Sequence, residues 1–353
     1  MHIKDIELHN FRNYSDEKIS FAGTVNIFLG KNAQGKTNLL EGIYLNGLGR
    51  SFKNVREKDL ITFGRDFCRL KTRFYQDNDE DEKVNELAIT RDGKKGIKVD
   101  GVEIKKTSEL LERLFIIVFS PEDLKIVKDE PERRRKFIDR EMCQIRAGYL
   151  SDLSDYKRVL KQRNAYLKGE NIDMDMLSIW DVQLASLGTR IIERRRSFIE
   201  KLEEISREIH YKITGGTERL QLKYEPCEFD PDKVREDIRN RTTGHGPHRD
   251  DFSIIAEGID LRKFGSQGQQ RTAALSLKLS EIKIIEEEKR EKPILLLDDV
   301  LSELDNDRQV YLLNSLGENQ MFITTTDIIG SVARNLPEGK IFKINNGQVE
   351  IEI

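Results

Sequence analysis

The sequence predicts an α/β fold in which a helical arm interrupts a domain built on a parallel sheet. Three observations support this prediction. The apolar run Val25–Leu29 leads through a glycine-rich loop into a helical pattern that starts near Lys36. A second apolar run, Ile294–Leu297, follows another helical pattern. Between them lies a highly charged segment with apolar residues at helical spacing, and helices that alternate with strands are typical of parallel sheets.

Residues 1–125 are expected to form the N-terminal part of that domain, with a β-rich lobe. Between Asp66 and Ile104, strand-like runs are broken at Asp77–Asp79 and at Asp92-Gly93, the latter a hairpin signal. The run Phe115–Phe119 is typical of a buried strand and ends at Ser120-Pro121.

Residues 126–215 are expected to form a short helical hairpin. Its turn is placed at Lys168–Asn171, and the apolar residues of its best seam are Leu184, Leu187, Ile191, Phe198, Leu202, Ile205 and Ile209. Arg195 falls on this seam and argues against a continuous coiled coil. We interpret the basic runs Arg133–Lys136 and Arg194–Arg196 as solvated, ion-paired helix faces.

Residues 216–353 are expected to complete the interrupted domain. They contain a helix from about Gln269 to Glu287 and strands at Ile294–Leu297 and Met321–Thr325. The arm is therefore an insertion in one domain.

Composition limits the function classes. The chain has 353 residues, of which 37% are hydrophobic and 35% charged, as expected of a globular protein. Cys68, Cys143 and Cys227 are scattered, which predicts neither a disulfide framework nor a zinc site and suits a reducing cytosol. With no apolar signal segment and no apolar run of eighteen residues, we expect a cytoplasmic protein without a membrane partner. The net charge of −3 lacks the basic excess that is usual in nucleic-acid binders, although local patches can still bind phosphate.

The loop after the first apolar run matches the phosphate-binding pattern G-x-x-x-x-G-K-[ST]. Its residues are Gly30, Lys31, Asn32, Ala33, Gln34, Gly35, Lys36 and Thr37. Glycines allow backbone amides to surround the β-phosphate, and the helix N-terminus adds a positive dipole. Lys36 would reach the β- and γ-phosphates, and the Thr37 hydroxyl would bind Mg²⁺. ATP and Mg²⁺ are the expected cofactors.

Two acids end the second apolar strand. Asp298 is expected to hold Mg²⁺, and Asp299 is placed where a base would orient the attacking water. With Lys36, Asp299 is the residue to which we assign the catalysis of ATP hydrolysis. The side chain of an aspartate is shorter than that of a glutamate and would hold its carboxylate farther from the attacking water, which predicts slow hydrolysis.

A second anion-binding segment precedes this strand. Its residues, Ser266, Gln267, Gly268, Gln269 and Gln270, lie at the start of a predicted helix. Two separate helix N-termini of one small domain cannot both make their full contacts with the same γ-phosphate. We therefore expect this segment to contact the nucleotide of a second copy, with Ser302 to Asp305 as a dimer-contact loop.

These motifs, in this order, resemble the ABC-type ATPase heads and, within that class, the RecF family. The resemblance identifies Ser266–Gln270 with the signature motif and Ser302 and Asp305 with the D-loop, and it places a switch residue near Thr326 and Asp327. The match to RecF depends on Asn10–Tyr14, Phe119–Leu124 and Gly246–Asp251. It adds Arg12 and Asn38 to the expected nucleotide contacts.

The resemblance also implies a function. It implies an ATP-dependent homodimer on double-stranded DNA, acting at gaps or junctions during repair. It further implies cooperation with RecO and RecR in loading recombinase. Related heads face DNA with the β-rich lobe, so the expected phosphate contacts are Arg50, Lys53, Arg56, Lys94 and Lys95.

Other interpretations remain open on the residues alone. A transporter-type or chromosome-organising ATPase subunit and a small-molecule kinase would each need the phosphate loop and the acids. A non-catalytic scaffold would use ATP only structurally. His245, His248, Asp250 and Asp251 resemble a metal site, but the loop that contains them is explained by the resemblance without a metal.

Overall fold

The computed structural model of the chain describes residues 1–53, 55–326 and 338–352. The chain forms two compact units, one of residues 1–123 and 281–353 and the other of residues 124–280. The first boundary lies close to the one expected at residue 125. Residues 216–280, assigned from sequence to the third segment, group instead with the helical unit.

The first unit contains an antiparallel sheet in the order β2-β1-β4-β5-β6-β7. Its hairpin turns lie near residues 77–78 and 91–94, which confirms the predicted breaks. The strands are β1 His2–Phe11, β2 Tyr14–Ser20, β4 Phe67–Gln76, β5 Asp79–Thr90, β6 Lys95–Val99 and β7 Val102–Ile104.

A second sheet of the same unit has the order β15-β14-β3-β13-β12-β8 and is parallel except for β15. This confirms the predicted parallel α/β sheet. Ile116–Phe119 and Ile294–Leu297 are fully apolar and buried, as strands of parallel sheets usually are. The strands are β3 Val25–Leu29, β8 Ile116–Phe119, β12 Ile294–Asp298, β13 Met321–Thr325, β14 Gly339–Asn345 and β15 Gln348–Glu352.

Helix α1, Lys36–Leu48, contacts strands of both sheets. Glycines make the close approach possible: a Cβ on Gly42 would lie 3.1 Å from Leu8 of β1, and one on Gly47 would lie 2.4 Å from Ile116 of β8. The helix that opens at the phosphate loop is therefore packed between the two sheets, which fixes the position of the loop.

The second unit is largely helical. The hairpin of the two longest helices of this unit, which are joined by a turn over residues 167–173, confirms the predicted arm. The helices are α2 Lys125–Lys128, α3 Pro131–Ile145, α4 Ala147–Tyr166, α5 Met174–Ile213, α6 Val234–Asn240 and α7 Leu261–Phe264, and the strands are β9 Leu220–Glu225, β10 Asp251–Ala256 and β11 Ile259–Asp260. Helix α8, Gln267–Lys289, begins in this unit and ends in the first, where α9 spans Asn306–Ser315. Within the described ranges, no helix is both long and apolar enough to cross a bilayer.

The interpretation of the two basic runs as solvated faces is wrong for their central residues. The side chains of Arg134 and Arg195 are only 3% and 2% exposed. Arg134 forms a two-bond ion pair with Asp251, at 2.6 and 2.9 Å. Arg195 lies 2.8 Å from carboxylate oxygens of both Asp139 and Asp250. Both arginines lie on the buried side of their helices, where these acids neutralise them.

Candidate nucleotide-binding site

The loop Gly30–Gly35 joins β3 to α1, which confirms the expected strand–loop–helix context. Gly35 lies immediately before the helix with φ 119°, a conformation that L side chains rarely adopt. A Cβ at this position would lie 2.5 Å from the Asn13 amide. Glycine is therefore required at Gly35, and the N-terminus of α1 that follows it is the kind of site that favours a bound phosphate.

The turn between β1 and β2 forms hydrogen bonds with the phosphate loop. Tyr14 Oη donates to the Gly35 carbonyl at 2.9 Å, and Asn13 Nδ2 donates to the Gln34 carbonyl at 2.9 Å. Asn13 Oδ1 also accepts from Asn38 Nδ2 at 2.9 Å. Phe11 and Tyr14 are both buried. The role of Asn13 was missed, because nothing in the sequence places it beside a loop twenty residues away.

Lys36 points back into the loop. Its Nζ donates to the carbonyls of Gly30 and Lys31 at 2.5 and 3.0 Å. Burial lowers the pKa of Lys36, and the carboxylates of Asp299 and Asp298 oppose this shift. The pocket around it is lined by Asn32, Ala33, Gly35, Lys36, Thr37, Asn38, Asp299 and Thr324. This lining contains five of the eight predicted loop residues and Asp299, and the other predicted acid, Asp298, contacts Thr37.

Asp298 lies at the end of β12 beside Thr37. Its Oδ1 accepts from Thr37 Oγ1 at 2.7 Å and from Thr324 Oγ1 at 3.0 Å. Burial raises the pKa of Asp298, and the two hydroxyl donors oppose the shift. No cationic side chain within the described ranges forms an ion pair with it. A hydroxyl and a half-buried carboxylate in contact are ligands suited to Mg²⁺, so the residues fit the expected ion.

Asp299 follows in a left-handed conformation, with φ 53°. Its amide donates to Thr324 Oγ1 at 3.0 Å, and its carbonyl accepts from Ser302 Oγ at 2.7 Å. Ser302, predicted for the D-loop, therefore holds the turn that carries Asp299. Thr324 belongs to the site although the predicted switch lay two residues later. Thr326 is exposed, and Asp327 lies outside the described residues.

Arg12 is directed toward α1. It forms two hydrogen bonds with the fully buried carboxylate of Glu41, at 2.9 and 3.0 Å. Lys53 Nζ lies 3.3 Å from the same carboxylate and 3.2 Å from Asn38 Oδ1. Neither basic residue is among those that line the pocket. Lys53, expected on DNA, is placed beside the phosphate-loop helix.

The other residues expected to bind DNA lie on the antiparallel sheet and its connections. Arg50 and Arg56 are exposed. Lys94 and Lys95 form ion pairs with Asp92 and Glu57, at 3.0 and 2.6 Å.

The segment Ser266–Gln270 opens α8. Ser266 Oγ accepts from the Gln269 amide at 3.2 Å, and Gln269 Oε1 accepts from the Ser266 amide at 3.0 Å, so the pair forms a capping box. Ser266 and Gln267 are exposed, and Gln270 Nε2 is bonded to the Leu261 carbonyl at 2.8 Å. Asp305 caps α9 by accepting from the Arg308 amide at 3.0 Å.

The four residues that resemble a metal site contact different partners. His248 Nδ1 lies 2.7 Å from Tyr156 Oη, and His245 Nε2 lies 2.9 Å from Asp237. Asp250 and Asp251 are paired with Arg195 and Arg134, as described above. The loop is part of the buried polar structure of the second unit.

Known proteins resemble the chain along its whole length. The family described as RecF/RecN/SMC N terminal domain matches residues 2–334. The chain is 46% identical to the DNA replication and repair protein RecF of Agathobacter rectalis, over 99% of both chains. It is 42% identical to RecF of Clostridium perfringens, over 99% of this chain and 100% of that one.

Solved structures agree with these relatives. The recombination mediator protein RecF-ATP in the RecFOR pathway is similar with a TM-score of 0.91 and 38% identity, covering 100% of this chain and 98% of that one. An SmcHead bound to the C-winged helix domain of ScpA has a TM-score of 0.61 at 19% identity, which shows the shared head fold alone. The chain therefore belongs to the RecF family of DNA replication and repair proteins, within the RecF/RecN/SMC class of ATPase heads.

Proposed function

We propose that the chain is an ATP-dependent DNA-repair protein that dimerises around nucleotide and holds duplex DNA at single-strand gaps or junctions. The observation that carries this proposal is the contact of Thr37 with Asp298 next to the phosphate loop and Lys36. Slow hydrolysis would return the dimer to monomers. A transporter subunit or a small-molecule kinase finds no support in relatives that match along the whole chain.

Different groups of the pocket would bind different parts of ATP. The amides of the loop and of the α1 N-terminus would bind the β-phosphate. The Lys36 ammonium, now bonded to two loop carbonyls, would exchange them for phosphate oxygens, which are stronger acceptors. Burial lowers the pKa of Lys36, so an anionic ligand would stabilise its charged form and oppose this shift.

Thr37 and Asp298 would hold Mg²⁺, whose charge neutralises the phosphate oxygens when it is bound. The ion would also compensate the half-buried Asp298 carboxylate, whose hydrogen-bond donors among the described residues are the hydroxyls of Thr37 and Thr324. Asp299 would orient the attacking water and accept its proton. Its short side chain and left-handed backbone are the reason to expect slow hydrolysis.

Dimerisation would complete the site. Ser266 and Gln267 are exposed at the N-terminus of the 23-residue helix α8, where the helix dipole favours an anion. We propose that this segment of one copy covers the γ-phosphate bound by the other. The relatives solved in the RecFOR pathway support RecO and RecR as further partners.

Light scattering tests the proposal directly. The mass is measured without nucleotide, with ADP and with ATP plus Mg²⁺, for the wild type and for Ser266→Arg. Ser178→Arg, a change at an exposed serine of α5, is the matched control. We expect a dimer only with ATP, lost in Ser266→Arg and kept in the control. A mass indifferent to ATP would contradict the composite site.

A further inference from the structure

A turn beside β1 displays a large aromatic side chain. Phe63 is 98% exposed, although the backbone around it is firmly bonded. The Arg65 amide donates to the Thr62 carbonyl at 3.0 Å, and the Thr62 amide donates to the Asn10 carbonyl at 2.8 Å. Gly64 supplies the positive φ, 79°, that the third position of such a turn needs. The fold thus holds an apolar ring in solvent.

Positive charge surrounds this turn. The Arg91 guanidinium donates to the carbonyls of Arg65 and Thr62, on either side of Phe63. Residues 50–71 and 91–95 together contain ten Lys and Arg against four Asp and Glu. Three of these cations, Lys53, Arg69 and Lys71, pair with Glu41 and Glu86, so the net charge with those partners is +4, whereas the whole chain carries −3. Within the described ranges, neither Arg56 nor Arg65 has a carboxylate at ion-pair distance, and both are exposed.

The turn is also attached to the nucleotide site. The Arg12 amide donates to the Leu60 carbonyl at 2.7 Å, and Phe11 forms a bridge with Ile61. Asn13, which follows Arg12, donates a hydrogen bond to the phosphate loop. One short segment of the chain therefore supports both the Phe63 turn and the loop.

An exposed aromatic ring, next to arginines that have no carboxylate partner among the described residues, has the chemistry that recognises nucleic-acid bases outside base pairs. The ring stacks on a base, and the cations neutralise the neighbouring phosphates. Bases inside an intact duplex are already stacked on one another and offer no free face. Insertion into a duplex would first have to unstack base pairs at a cost of about a few kcal/mol, so we expect such a ring to stack where pairing ends.

We propose that Phe63 stacks on the first unpaired base at a junction of double- and single-stranded DNA, while Arg56, Arg65 and Arg91 contact the adjacent phosphates. This inference rests on the proposed function, because it requires that the chain bind DNA. It adds the residue that distinguishes a gap from an uninterrupted duplex.

The test uses the full-length protein with ATP and Mg²⁺. Its affinity is measured for a gapped duplex that carries 2-aminopurine at the first unpaired position, and for a covalently closed circular duplex. The variants are Phe63→Ala, Phe63→Leu and Phe63→Trp. The control is Val102→Ala, a change at a 68%-exposed apolar residue of β7 in the antiparallel sheet. Light scattering checks that each variant still dimerises.

We expect Phe63→Ala to weaken binding to the gapped duplex about five- to thirtyfold and to abolish the change in 2-aminopurine fluorescence. Binding to the closed duplex should change less than about twofold, because only the phosphate contacts act there. Phe63→Leu should behave like the alanine variant, since it keeps an apolar group without a flat ring. Phe63→Trp should bind at least as well as the wild type, and Val102→Ala should match it.

Several results would overturn the inference. If the wild type binds gapped DNA and Phe63→Ala binds equally well with the same fluorescence change, Phe63 has no such role and the proposed function stands. An equal loss on gapped and closed duplex would make the ring a wedge in intact DNA. If Phe63→Leu bound the gapped duplex as tightly as the wild type does, stacking would be ruled out. A wild type that binds no DNA would refute both this inference and the proposed function.

Discussion

Replacing Arg195 by methionine would remove the centre of a buried ionic network in the second unit. The guanidinium donates to Asp250 and Asp139, each at 2.8 Å, to the Pro247 carbonyl at 2.6 Å, and to Tyr149 Oη at 3.0 Å. Methionine keeps much of the volume but none of the donors. The change therefore leaves Asp250, whose side chain is 1% exposed, without its compensating charge.

Removal of one partner of a buried ion pair typically costs about 3–5 kcal/mol, and we expect Arg195→Met to lower the free energy of unfolding by this amount. The neighbouring Arg194 provides a matched control. Arg194 lies on the same helix as Arg195 and pairs with Asp152 of α4 at 2.6 Å, but its side chain is 32% exposed. For Arg194→Met we therefore expect a loss of less than about 1 kcal/mol.

Urea unfolding followed by tryptophan fluorescence measures both losses. Trp180 is the only tryptophan of the chain and lies in the same unit as Arg195, so its signal reports the relevant transition. Adding Asp250→Asn to Arg195→Met should recover part of the loss, because the stranded charge is then removed. Losses for the two single variants that agree within about 1 kcal/mol would refute the reasoning.

Three further predictions concern titratable groups. Burial lowers the pKa of His248 to about 4, so between pH 6.5 and 4 the unfolded chain binds a proton that the folded chain does not. The free energy of unfolding should fall by up to about 1.4 kcal/mol per pH unit as the pH drops through this window, and urea titrations at pH 7 and 5 should show no such contribution in His248→Gln. Asp298→Asn should remove the effect of Mg²⁺ on binding of a fluorescent ATP analogue. In the wild type the Mg²⁺ effect should weaken on acidification, because burial raises the pKa of Asp298 and the protonated form does not bind the ion; a Mg²⁺ effect retained in the variant would contradict the assignment. Asp299→Asn should slow phosphate release about 100-fold or more while ATP binding is unchanged, and equal rates would exclude Asp299 as the base.

Local signals explain what the sequence predicted well. The phosphate loop, the hairpin turns and the arm each depend on residues within one or two turns of each other, where glycine, charge and periodicity act directly. Helix α1 was predictable because its start is defined by the same glycine that the loop needs.

Strand register and distant partners explain what was missed. Thr324 meets Asp298 because β12 and β13 pair these two residues across the sheet, and no local pattern specifies that register. The burial of Arg195 depends on Asp250, which lies 55 residues further along the chain. Likewise, the buried Glu41 determines where Arg12 points, and the sequence does not show that these two residues meet.

The left-handed backbone at Asp299 limits which acids can occupy the end of β12. Aspartate and asparagine adopt this conformation far more readily than other non-glycine residues, for which it costs about 1–2 kcal/mol. A glutamate here would bring its carboxylate nearer to the water only against that cost. Selection for faster hydrolysis would therefore have to reshape the turn held by Ser302 and Thr324 before it lengthened the acid.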